Sequence, residues 1–157
     1  MAAITALSDQ RLGGIVCVDG RAGEIIVTAK ADGALIAGMA VGIVGAAGAT
    51  KGDIIGADDG GTSELFVGIL LPKYNTDCDT AVTDGDMVEI VVPQNGHKYN
   101  VACNDMAGNL DIGTGGLVSS TIGRFTFAIT DVVAFKHCRL SKYYTDDDTF
   151  CEVYWGP

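Results

Sequence analysis

The chain has 157 residues, 48% hydrophobic and 19% charged, which suits one folded domain and excludes a disordered chain. Ten basic residues against twenty acidic ones give a net charge of −10. That balance argues against a nucleic-acid partner, because neutralising phosphates requires a surplus of Lys and Arg on one face.

Taken in chain order, the first segment, MAAITALSDQRLGG, lacks a basic region followed by a long apolar run, so it does not read as a signal peptide. Residues 1–13 are expected to form a flexible N-terminal arm, and residues 14–157 a single β domain. Short apolar runs then dominate. Strands are predicted at residues 14–18, 24–30, 39–44, 53–55, 65–71, 87–92, 99–103, 123–135 (bent or split) and 150–155. Turns are signalled between them by Asp19-Gly20, Asp32-Gly33, the Asp58–Gly61 cluster, Asn95-Gly96, Gly108-Asn109 and the glycines at 113–116. Asn95-Gly96 is the sharpest of these, since both residues tolerate positive φ and suit a two-residue hairpin turn. Even spacing of this kind predicts an all-β fold, a small β-barrel or sandwich of short strands with Gly-rich turns. Two runs, EIIVTAK and LFVGILL, alternate poorly. Such strands are buried on both faces, or have one face in the domain and one against a partner subunit. The most apolar stretch, residues 35–49, is broken by glycines. It is shorter than the roughly 20 residues that a membrane helix needs, so no membrane role is expected.

The segment GAAGATKG fails the phosphate-loop pattern, because Lys51 is followed by Gly52, and no helix follows to aim its amides at an anion. The acidic clusters around Asp58, Asp77 and Asp146 read as solvated turns, with a weak calcium site between two loops kept open. Five cysteines without a CxxC spacing, and two isolated histidines, give no metal set. They read as reduced, partly buried thiols. There is no G-x-S-x-G elbow, and Cys103 or Cys138 would meet His97 only by accident of the fold. No cofactor and no enzymatic activity are expected.

Thr-x-Gly-Asp occurs twice, at Thr50, Gly52, Asp53 and at Thr83, Gly85, Asp86, each time just before an apolar strand. Glycine supplies a backbone angle that other residues resist, and the Thr or Asp oxygen can fix the turn through a nearby N–H. These six residues, with Asn95 and Gly96, are therefore read as turn-forming. The densest aromatic group is Tyr143, Tyr144, Phe150, Tyr154 and Trp155. It either fills a small core at the barrel mouth or anchors an interface, where Tyr and Trp are enriched.

The segment AGMAVGIVGAAGATKGDIIGA…ELFVGILL…DTAVTDGDMVEIVVP resembles the head-decoration (capsid cement) proteins of tailed phages. The matching pieces are residues 38–42, 66–70 and 82–88. The N-terminal arm and the region after Tyr99 fall outside the resemblance. It implies a non-enzymatic β protein of the virion, made in a host cytoplasm. Such a protein binds the major capsid protein on the outside of an icosahedral shell as a homo-oligomer, with a trimer favoured. The alternatives are a subunit of another extracellular fibre or filament, and a small β-barrel ligand-binding module with a reactive His97, Cys103 or Asp.

Overall fold

The computed structural model describes residues 16–19, 22–43, 54–57, 65–72, 81–103, 110–118, 123–127, 137–144 and 150–156. The regular elements among them are strands: β1 (Ile25–Ala31), β2 (Ala40–Ile43), β3 (Ile54–Ala57), β4 (Leu65–Leu70), β5 (Met87–Val92), β6 (Lys98–Ala102), β7 (Gly115–Val118), β8 (Phe125–Phe127), β9 (Cys138–Leu140) and β10 (Phe150–Trp155). Five close into a barrel in the order β1-β3-β2-β4-β5, and the others form a five-stranded sheet in the order β6-β10-β9-β7-β8. Neighbours are antiparallel except β1 and β3, which run parallel and, among the described residues, meet at Lys30–Ile54 and Ala31–Ile55. The all-β class is as the composition requires, and no helix among the described residues is long and apolar enough to cross a membrane.

Two apolar clusters hold the sheets. One fills the barrel, with Ala29, Leu35, Val41, Leu70, Val88 and Ile90 buried inside it. The larger one lies between the barrel and the second sheet. There Ile69, Leu71 and Val91 from the barrel wall meet Tyr99, Phe125 and Val153. Where β4 and β5 form it, the barrel wall is thus apolar on both sides because both sides are covered within one chain, whereas Ile25 and Val27 of β1 are exposed.

Strand β4 shows how. Val41 is paired with Gly68 and Gly42 with Phe66, so Val67 is an extra residue and the register shifts there. A bulge of this kind breaks the period of two. Val67 and Leu70 turn into the barrel, while Phe66, Ile69 and Leu71 turn to the larger core. This accounts for the poor alternation of LFVGILL without a partner subunit. Gly68 is required at the bulge, since a Cβ there would overlap the Val91 carbonyl oxygen and lie 2.8 Å from Ile90 Cγ2.

Three sequence expectations are corrected. Asn95-Gly96 does not close a hairpin. Gly96 has φ +83° and His97 N–H bonds back to the Gln94 carbonyl at 3.1 Å, so a tight turn forms. However, β5 belongs to the barrel and β6 to the other sheet. Pro93 has no N–H to extend the ladder, and the Gln94 amide goes instead to the Tyr99 hydroxyl at 2.9 Å. Second, the glycines at 113–116 are not all turn. Gly113 is, but Gly115 and Gly116 open β7, and the Phe127 ring lies over Gly116 where a Cβ would stand. An aromatic ring across from a strand glycine replaces the packing that the glycine lacks. Third, β9 was not foreseen; three residues are too few to show a period. Of the strand expected at 14–18, only the Cys17–Tyr99 bridge is present among the described residues. The arm at 1–13 and residues 128–135 lie outside them.

Candidate functional site

The second Thr-x-Gly-Asp copy is a closed turn. The Asp86 carboxylate accepts from the Thr83 backbone N–H at 3.0 Å and from the Thr83 hydroxyl at 3.1 Å. Gly85 has φ +85°, in the region that other residues resist, and its N–H bonds to the Ala31 carbonyl at 2.9 Å. Ala31 N–H in turn bonds to the Asp86 carbonyl at 2.8 Å. The turn therefore ties the end of β1 to the start of β5, and the Asp84 carboxylate adds a bond from the Gly33 N–H at 3.1 Å. Thr50, Gly52 and Asp53 lie outside the described residues.

The aromatic residues after 140 do not form one group. Along β10, Cys151, Val153 and Trp155 face the larger core, and Phe150, Glu152 and Tyr154 face the other way. Trp155 stacks on Phe66 at 5.7 Å and meets Tyr99 and Phe125 edge-on at 6.4 and 6.1 Å. Tyr144 also packs on the core, and its hydroxyl accepts the Glu152 backbone N–H. Of the five, Tyr143 alone is exposed, at 53%. Tyr154 lies half-buried between Lys98 on β6 and Arg139 on β9.

Sequence reasoning missed the two buried carboxylates. The Glu24 side chain, 2% exposed, accepts from the Tyr99 hydroxyl at 2.7 Å and lies 2.6 Å from His97 Nδ1. It joins the start of β1 to the strand that opens the second sheet. Burial, then the hydrogen bond to Glu24, pushes the Tyr99 hydroxyl well above its usual range, so it stays a donor. Glu152 is 7% exposed. Burial pushes its pKa up, but hydrogen bonds from Ser141 and Lys142 and the charges of Lys142 and Lys98 outweigh that and hold it below the usual carboxylate range. A single Glu beside an apolar run carries no sequence signal. Only the fold brings these partners together, across 73 residues in one case.

The remaining chemistry is thin. His97 borders an open groove of about 480 Å³ with Gly23, Pro93, Gln94 and Asn95, and its Nδ1 is held by Glu24. Cys17, Cys103, Cys138 and Cys151 are buried, and burial pushes the Cys138 thiol far up, which makes it a poor nucleophile. Among the described residues, no cluster of three His, Cys, Asp or Glu is placed to hold a metal. What the geometry provides is a rigid pair of packed sheets with a few exposed apolar side chains: Ile25, Val27, Met87, Ile112 and Tyr143.

Two solved structures superpose on most of this fold. The N base of head fiber gp8.5 from bacteriophage phi29 superposes with a TM-score of 0.52 over 85% of this chain and 94% of its own, at 12% identity. A chain from the capsid of Myoviridae phage XM1 superposes at 0.50 over 85% of this chain and 83% of its own, at 15% identity. No family model and no curated protein matches the sequence. At such identities the likeness is one of fold.

Proposed function

We propose that this chain is a structural protein of a phage head that decorates and stabilises an icosahedral capsid by binding the major capsid protein from outside. The observation that carries this reading is the two-sheet fold, shared over most of the chain with a phage head fibre base and a phage capsid chain. The described site residues support it. The second Thr-x-Gly-Asp turn, Glu24 and Glu152, among the described residues, are spent on the chain's own framework. The reading is non-enzymatic, with residues 14–157 as one β domain, synthesis in the host cytoplasm, and self-association into a homo-oligomer, a trimer being the form that the resemblance favours. A second reading, a base for a head fibre, is favoured by the phi29 neighbour. The test is loss of the protein from the heads of the phage that encodes it. Decoration predicts heads that form but release DNA on milder heating, restored by adding the purified chain. Heads that lack only a fibre, with unchanged heat resistance, support the second reading.

A further inference from the structure

We propose that Asn95 is a self-modification site: its side-chain amide cyclises onto the Gly96 nitrogen and is lost as ammonia, and the end of β10 holds this reaction back. Asn95-Gly96 is the only Asn-Gly pair in the sequence. The reaction needs water and nothing else. The Gly96 amide nitrogen gives up its proton to solvent base and attacks Asn95 Cγ. A C–N bond forms, the bond from Cγ to the side-chain nitrogen breaks, and ammonia leaves. The product is a five-membered succinimide. Water then opens it at one carbonyl to give aspartate, or at the other to give an isoaspartyl link through Cβ. Glycine is the residue that favours this chemistry, because no Cβ crowds the attacking nitrogen.

Both reacting groups are reachable, and both are restrained. Asn95 and Gly96 are exposed, so solvent base reaches the turn. The restraint comes from the last residues of β10. Gly96 N–H donates to the Trp155 carbonyl at 2.9 Å, and Trp155 N–H donates to the His97 carbonyl at 2.9 Å. These two bonds pin the end of the strand to the turn. The Asn95 carboxamide lies against Gly156, where a Cβ would stand 3.5 Å from Oδ1 and 3.8 Å from Cγ. Gly156 is held in turn by its N–H on the His137 carbonyl at 2.9 Å. A nitrogen whose hydrogen is committed to a carbonyl can neither release it nor turn toward Cγ. Cyclisation therefore waits until the bond between Gly96 and Trp155 opens.

Opening of this kind is local, and its equilibrium sets the rate. The folded chain reacts at the unfolded chain's rate multiplied by the fraction of time that the bond is open. The site therefore records release of β10 from the turn. A chain whose last strand has come away is marked, and an intact chain is spared. The mark is a new carboxylate at residue 95, on the rim of the groove with Gly23, Pro93, Gln94 and His97. There it adds negative charge near Glu24, the buried carboxylate that holds His97. The isoaspartyl form also puts one more backbone atom between β5 and β6, where the chain passes from the barrel to the second sheet. The inference stands whether or not the protein sits on a shell.

The experiment follows the full-length chain in mildly alkaline buffer, without urea and with urea above its unfolding midpoint. Peptide mapping by mass spectrometry reads the amide-to-acid change at each asparagine, and amide exchange reads opening at Gly96. In urea, Asn95 is expected to deamidate faster than Asn75, Asn100, Asn104 and Asn109, and Gly96→Ala to slow it at least tenfold. In the folded chain the rate at Asn95 is expected to fall at least tenfold below that in urea, by the same factor as exchange of the Gly96 N–H. Equal rates with and without urea overturn the proposal, because the Trp155 carbonyl then restrains nothing. An Asn95 that stays intact in urea overturns it too, as does a slow folded-state rate beside a freely exchanging Gly96 N–H.

Discussion

At Gly68 a hydrogen atom is the largest substituent the backbone tolerates, because Val91 and Ile90 on the next strand close over it. Gly68→Ala is therefore expected to cost about 1–3 kcal/mol through overpacking, read as a lower denaturation midpoint at unchanged slope. Gly85→Ala meets no atom within 4 Å and costs only the strain of φ +85°, on the order of 1 kcal/mol. Tyr99→Phe removes a donor from a buried carboxylate and an acceptor from the Gln94 amide. A loss of about 1–3 kcal/mol is expected, the usual cost of leaving buried polar groups unpaired, measurable in the same titration. Glu152 gives a pH dependence. Its folded pKa is depressed, so its stabilising contribution is present above the usual carboxylate pKa and is lost as pH falls through the folded value. Melts from pH 7 down to about 3, below the usual Glu pKa of about 4.3, should show the wild type's advantage over Glu152→Gln shrinking. A gap that widened on acidification would contradict the assigned partners Ser141 and Lys142.

Elements with a long run of apolar residues are legible in the sequence. Residues 87–92 and 150–155 coincide with β5 and β10, and the strands predicted at 39–44 and 65–71 differ from β2 and β4 only at their ends. The failures have physical causes. Strand β9 has three residues, below the length at which alternation shows. Strand β7 opens with two glycines, and what makes them strand is the Phe127 ring, which is distant in sequence. The bulge at Val67 is invisible for the same reason, since an extra residue exists only relative to a partner strand. For the candidate site, the residues of the turn at 83–86 could be read from sequence, because their bonds are local. The pairing of Glu24 with His97 and Tyr99 could not. The aromatic group at 143–155 was seen as one feature, whereas the strand period sends Trp155 inward and Tyr154 outward. Trp155→Ala should accordingly act on folding, with a loss of about 3 kcal/mol, whereas Tyr143→Ala should leave the denaturation midpoint within about 0.5 kcal/mol. Equal effects of the two changes would contradict this division.

For the whole molecule, the unexpected feature is that one tight turn at Asn95-Gly96 passes the chain from a closed barrel to a second sheet. The outer wall of the barrel then serves as part of the second sheet's core, through Ile69, Leu71 and Val91. Topology of this kind depends on which strands pair, and the polar and glycine signals at a turn do not encode that. The consequence for function is that the double-sided strand β4 needs no partner, so any docking must use what remains exposed, such as Ile25 and Val27 of β1. Under the proposed role, this pair of sheets serves by position on a shell and not by chemistry in a cleft. Electron cryo-microscopy of heads carrying the protein tests that most directly. Density of this fold is expected on the outer surface of the capsid, repeated about its symmetry axes and touching the major capsid protein. Heads with a bare outer surface in the presence of the folded protein would contradict it.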